Sequence, residues 1–414
     1  MGFGVDSRVG LAVGLGGLLA MSRQRGASTP VGPVLAQQYR ILCLGDSTTV
    51  GRGAGGAGTD GQGMAGARLL AWPARLSVAL AALGYTSQEN SMLGDASVSL
   101  PRGNTSPGVA NTGAYWEYDN RVNMEAITVP SESPTMGANA WAIAATGTAT
   151  DLEENWTFAG VDTFELWNAR RSANGSFIGL VNDVQQGGII TQTNATASVA
   201  KDVFTATLGT NKLTMRRNAG ANWFYGINAY NSAVNSLQVI NAGWRGGTVG
   251  DLGITGFPGS PLPMIGVVNP HLTIISIGIN DYRASGGTSA ADPGGNPVVG
   301  KATFKARLLT LIQTAKATQS AAGKVILVTP TPTSTTGVAG LPRSAVLEAY
   351  SELAASESVA LFDTDAAMLA AYGTSSYTGL NSLGQMYDTL HPLPGPYNAL
   401  ASALAPTVKT VLNI

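Results

Sequence analysis

Short apolar runs alternate with stretches of helical periodicity over two separate parts of the chain. The runs lie at 39–44, 237–240, 272–277 and 325–328, with a weaker one at 359–362. Helical stretches fall between or beside them at 69–83, 302–318, 344–355 and 396–411. Apolar strands alternating with helices predict an α/β fold, a parallel sheet covered on both faces.

Between about 86 and 236 the pattern changes. No amphipathic helix is evident, and short alternating runs follow one another at 156–158, 161–167, 176–181, 202–208, 212–215 and 223–229. Gly/Asn turns such as Asn174-Gly175 and Leu208-Gly209-Thr210-Asn211 separate them. Strands at this spacing predict an antiparallel, jelly-roll-like β-sandwich. The expected organisation is an apolar, Gly-rich arm and linker at 1–34, an α/β domain at 35–100 and 236–414, and an inserted β-sandwich at 101–235.

Composition narrows the chemistry. The 414 residues include 24 basic and 25 acidic side chains, a net charge of -1, and only 12% are charged. So neutral a chain has no electrostatic footprint for nucleic acid or an anionic membrane. A single cysteine excludes an intramolecular disulfide framework and any cysteine-built metal site. With two histidines in the sequence, a histidine general base is His271 or His391. Residues 10–21 are apolar but shorter than the ~20 residues a membrane span needs. They read either as a signal-peptide core or as an arm that orders in an assembly.

Four blocks carry candidate chemistry. Gly45-Asp46-Ser47 ends the first strand and sets a serine hydroxyl at the sheet edge where open α/β folds hold ligands. Asn241-Ala242-Gly243-Trp244-Arg245-Gly246-Gly247-Thr248 follows the second, its glycine N–H groups free to approach a developing oxyanion. Gly278-Ile279-Asn280-Asp281 follows the third and offers a neutral amide donor. Asp388-Thr389-Leu390-His391 precedes the last helix, with a carboxylate three residues from an imidazole it can orient.

In this order the four blocks resemble those of the SGNH (GDSL-type) hydrolases. The resemblance covers about 35–100 and 236–414 and leaves the middle segment outside. It implies a flavodoxin-like three-layer fold and ester hydrolysis through an acyl-serine, with no cofactor and no metal. Ser47 would be the nucleophile, His391 the general base and Asp388 its orienter. The Ser47 amide, the Gly246 amide and the Asn280 side chain would form the oxyanion hole. Gly243 and Gly94 are alternatives to Gly246, which is preferred because a strand leads directly into its block. Family habit and the insert suggest acetyl esters of a carbohydrate as substrate.

Other features read as structural. Gly51-Arg52-Gly53-Ala54-Gly55-Gly56 matches a dinucleotide fingerprint, but no helix opens on it and no acidic partner follows; Arg52 reads as a solvated side chain. His271 has no acidic neighbour, and Cys43 is a small core residue. Trp156, Trp167, Trp223, Phe224 and Tyr225 are either a sugar-stacking surface or core. A reading from another class is a virion (phage tail or spike) or cell-surface attachment protein that binds glycan and oligomerises through its N-terminal arm. Either reading places the protein's action outside the cell.

Overall fold

The computed structural model describes residues 33–55, 67–93, 122–124, 141–143, 153–172, 174–244, 246–255, 259–283, 300–334, 337–338 and 341–414. The 10–21 segment and Gly94 lie outside them. Six strands form one sheet, in the order Ala360–Phe362, Lys324–Val328, Leu272–Ser276, Tyr39–Gly45, Leu237–Gly243 and Ser87–Gln88. Every neighbouring pair is parallel. Tyr39–Gly45 has later strands on both sides, so the chain changes direction there and leaves a crevice at the strands' C-terminal ends.

Alternation along these strands divides the core into two layers. Ile41, Cys43, Val239, Ile274, Ile326 and Val328 face a layer closed by the helices Trp72–Ala82 and Pro394–Leu412. Leu42, Leu44, Ile240, Ile275 and Leu327 face the opposite layer, closed by Pro261–Val268, Lys301–Lys316 and Arg343–Glu357. The result is a three-layer α/β body. The expected helices are present, the 69–83 stretch as two pieces, Ala67–Leu70 and Trp72–Ala82, with Pro73 in the first turn of the second.

Among the described residues, the strands of the insert together with Ser91–Leu93 form a nine-stranded antiparallel sheet that turns back on itself. Its axis is a pair of long strands, Glu153–Arg170 and Ser198–Ala219. Sequence reading splits each of these into two short strands at Gly160 and at 208–211. The structure keeps them continuous, because the irregularity is a bulge rather than a reversal: the register shifts between Thr205 and Asn211. Asn211 Nδ2 fills the gap, donating to Val161 O (2.7 Å) and Thr207 O (2.8 Å). A bulge bends and twists a strand without ending it. Ser176–Val181 pairs with the far half of Ser198–Ala219, while Asn222–Tyr230 pairs with the second half of Glu153–Arg170. Phe177 and Phe224, one from each half, meet edge to face at 5.1 Å. They share a core with Trp156, Phe158, Phe164, Phe204 and Leu213.

The other face of the insert completes the α/β body. Trp167, Ala169, Trp223 and Tyr225 pack into the layer that contains Leu42, Ile240 and Met264. Ser91–Leu93, ahead of the expected start of the insert at 101, pairs antiparallel with Asn222–Tyr230. All five aromatics considered as a sugar surface are therefore buried. Trp156 and Phe224 fill the insert, Trp167, Trp223 and Tyr225 fill the junction, and Arg171 stacks on the Trp223 ring at 3.9 Å. They serve as packing. No helix among the described residues is long and apolar enough to cross a membrane.

Candidate active site

Three strand ends and the loop before the last helix converge at the crevice beside Tyr39–Gly45. Asp46 leaves the first strand and caps the one-turn helix Ser47–Val50, its Oδ1 accepting from Thr48 N (2.9 Å) and Thr48 Oγ1 (2.8 Å). Ser47 becomes the first helical residue, where the backbone N–H has no partner within the helix. That helix sits hard on two strand ends. A Cβ on Gly45 would collide with Thr49 and Ser276 O, and one on Gly243 with the backbone of Thr49 and Val50. Only glycine at both positions lets the serine come this close to the sheet.

Ser47 Oγ and His391 Nε2 are 2.9 Å apart although 344 residues separate them. His391 Nδ1 lies 2.9 Å and 2.8 Å from the two oxygens of Asp388. A carboxylate can only accept, so Nδ1 carries the proton and Nε2 is left to accept from the serine. Asp388 Oδ1 also accepts the backbone N–H groups of Leu390 (2.8 Å) and His391 (2.7 Å), which folds the four-residue block into a turn. Burial pushes the imidazole pKa below its ordinary 6.5; Asp388 opposes this, and Arg52 and Arg283 add to it. Asp388 itself is held well below the usual carboxylate range: burial raises it, but hydrogen bonds and charge from His391 outweigh that.

The glycine block separates its alternatives. Gly243 N donates to Asn241 Oδ1 at 3.0 Å, so its N–H is committed within the fold. Gly246 lies in the left-handed region, φ 77°, with open space where a side chain would be. Among the described residues its N–H has no acceptor. Asn280 is buried on the one-turn helix Ile279–Arg283 and donates through Nδ2 to Gly247 O at 2.9 Å. One amide N–H thus fixes the glycine loop, and the amide carries a second.

Two aspartates lock these loops together, and only one of them carries a reading in the sequence. Asp281, read as a structural hydrogen-bonder, accepts Val249 N through both oxygens (3.2 and 3.1 Å), tying the third block to the second. Burial drives its pKa up to about 8. Asp46 accepts from the backbone of Ile279, tying the first block to the third; burial raises it to about 6. Its position just before a Ser-Thr-Thr run is an N-cap signal that the sequence does display. His271 takes no part: its Nδ1 accepts Arg40 N at 3.1 Å and its ring packs on Tyr39. No cluster of three metal-ligating side chains occurs among the described residues.

The model of the GDSL-like Lipase/Acylhydrolase family matches residues 202–395. No curated protein matches the chain in sequence. Among solved structures, a peptidoglycan O-acetylesterase superposes with a TM-score of 0.61 at 14% identity, over 91% of this chain and 92% of its own. A family two carbohydrate esterase from Clostridium thermocellum, in complex with cellohexaose, aligns at 14% identity over 66% of this chain and 95% of its own (TM-score 0.28). One from Cellvibrio japonicus aligns at 13% identity over 71% and 96% (TM-score 0.30). None of these matches bears on the virion reading. The three-layer sheet, the four ordered blocks at its C-terminal edge and the family match over 202–395 together support an SGNH hydrolase of the GDSL-like type.

Proposed function

We propose that the chain is a serine esterase that removes small acyl groups, above all acetyl, from a carbohydrate outside the cell. The observation that carries the chemistry is the 2.9 Å contact between Ser47 Oγ and a His391 whose Nδ1 is held by Asp388. In this mechanism Ser47 Oγ attacks the ester carbonyl as its proton passes to His391 Nε2. The carbonyl oxygen becomes an oxyanion that accepts from Ser47 N, Gly246 N and the free amide N–H of Asn280. Collapse breaks the ester C–O bond, and the sugar alkoxide leaves with the proton from His391. Water then gives its proton to the same imidazole, attacks the acyl-serine and frees the acid and Ser47.

The substrate class rests on a fold shared with a peptidoglycan O-acetylesterase over nearly the whole of both chains, insert included. Trp167, Trp223 and Tyr225 of the insert share a buried core with the α/β body, which supports reading the two as one enzyme. Acetate release from p-nitrophenyl acetate and from O-acetylated polysaccharide by wild type and Ser47→Ala tests the proposal. Turnover lost in the variant, with an acetylated Ser47 trapped by rapid quench and mass spectrometry, is the expected result. Equal turnover by the two proteins would overturn it.

A further inference from the structure

Asn241 opens the glycine block, and the sequence reading of that block rests on its glycines. In the structure Asn241 is fully buried on the strand Leu237–Gly243. Two residues after Val239, it shares that residue's face, toward the apolar layer that also holds Ile41, Cys43 and Trp72. An amide in such a layer is costly unless its polar groups find partners. Here both main-chain groups and both side-chain heteroatoms do. The strand Ser87–Gln88 pairs with Leu237 and Gln238, and past that point Ser91 and Arg68 serve the main chain of Asn241. Its N–H donates to Ser91 Oγ (3.0 Å), and its carbonyl accepts from an Arg68 guanidinium N–H (2.7 Å). Ser91 Oγ in turn donates to Glu89 Oε1 (2.7 Å). The side chain reaches in two directions. Its Oδ1 accepts from Gly243 N (3.0 Å), and its Nδ2 donates to Thr49 O (2.9 Å).

These two bonds join the parts of the site that must meet one oxyanion. Thr49 O belongs to the one-turn helix that begins at Ser47, and the last carbonyls of a helix have no partner within it. Trp72 Nε1 donates to Thr49 Oγ1 (3.2 Å), so Thr49 is held from two elements. Gly243 leads into the turn that carries Gly246, closed by Gly247 N donating to Trp244 O (2.9 Å). One amide therefore grips the Ser47 helix on one side and the base of the Gly246 turn on the other. A buried polar network whose members are all satisfied rigidifies what it joins. Oxyanion stabilisation needs that rigidity, because its donors must reach the same oxygen at hydrogen-bond distance. Trp244 N also donates to Gly45 O (2.8 Å), a main-chain tie that does not depend on the side chain at 241.

We infer that Asn241 is a positioning residue for the oxyanion hole: through Thr49 O and Gly243 N it holds the Ser47 and Gly246 amides at the spacing that one oxyanion requires. This rests on the esterase reading and deepens it. Asn241→Ala removes both side-chain bonds. Asn241→Val removes them too, with a side chain suited to a buried strand, and keeps the test open where the cavity left by alanine prevents folding. On p-nitrophenyl acetate each folded variant should lose about 10- to 100-fold in kcat, the cost of a small misplacement, with KM changed by less than about threefold. Methylboronic acid reports on the hole directly, because its adduct with Ser47 is tetrahedral and sets an oxygen where the oxyanion forms. Its Ki should rise by the factor by which kcat falls.

Asn211→Ala is the control. It removes a buried amide that bonds main-chain carbonyls of the insert, Val161 O and Thr207 O, and touches none of the four blocks. It should lower the urea midpoint and leave kcat and the boronate Ki unchanged. Wild-type kcat and boronate Ki in a folded Asn241 variant, or equal changes in Asn211→Ala, would overturn the positioning role while leaving the esterase standing. Absence of Ser47-dependent turnover by the wild-type protein would bring down the esterase reading and the positioning role with it.

Discussion

Burial, with charge from Arg52 and Arg283, lowers the His391 pKa against the pull of Asp388. The neutral form is the one that can take the serine proton, and acid removes it. Because its pKa is lowered, the acid limb of kcat/KM should lie below about 6.5, the value of an unperturbed histidine; a pH–rate profile on p-nitrophenyl acetate checks this. Asn280 donates one amide N–H to Gly247 O, and the proposed oxyanion hole uses the other. Asn280→Ala should therefore lower kcat by on the order of 10²–10³, as for other oxyanion donors. Asp281 works on stability. Its folded pKa, raised to about 8, exceeds the unfolded value of about 3.9, so the folded state binds more protons between those limits. The stability contributed by the neutral acid is complete below the lower value and lost as pH rises through the upper one. Asp281→Asn, which keeps an acceptor for Val249 N, should flatten the fall in urea midpoint between pH 5 and 9. The nucleophile and base candidates are legible from motif order. The locking aspartates are less so, because their meaning lies in backbone N–H groups that belong to other loops.

The one-turn helix Ser47–Val50 is the element on which the site depends. Two glycines set its distance from the sheet, and they do different work from Gly246. Gly243 is a packing residue whose missing Cβ admits the backbone of Thr49 and Val50. Its neighbour at the point of contact is main chain, which cannot swing aside as a side chain could. Gly243→Ala should cost about 1–3 kcal/mol of stability, read by urea denaturation, and should lower kcat by displacing Ser47. Spacing along the strand does not distinguish a glycine kept for packing from one kept for its N–H. The long strands of the insert show the same limit. Gly160 and the 208–211 stretch carry turn residues, yet Asn211 satisfies the carbonyls that a reversal would otherwise expose.

At the scale of the molecule, the two bodies share a core and an ion cluster. Arg40 of the first strand donates to both oxygens of the buried Glu165 (2.7 and 2.8 Å), and Lys201 Nζ (3.1 Å) and Tyr230 Oη (3.2 Å) complete the cluster. Glu165→Ala would leave Arg40 facing the junction without its partner. It should destabilise the protein by roughly 3 kcal/mol, and denaturation followed by tryptophan fluorescence and by circular dichroism should still give coincident transitions, since Trp167 and Trp223 belong to the core of both bodies. By itself the sequence determined the alternation of strand and helix, the interruption by a β-rich insert and the order of the four blocks. Periodicity and turn chemistry are local, and local patterns are written along the chain. Only the tertiary structure decided that Ser47 and His391 meet across 344 residues, that the Gly243 N–H is taken up by Asn241 while that of Gly246 has no acceptor among the described residues, and that the insert's aromatics are core. Each of these depends on which distant segments share space, and that is set by packing and hydrogen-bond satisfaction over the whole fold.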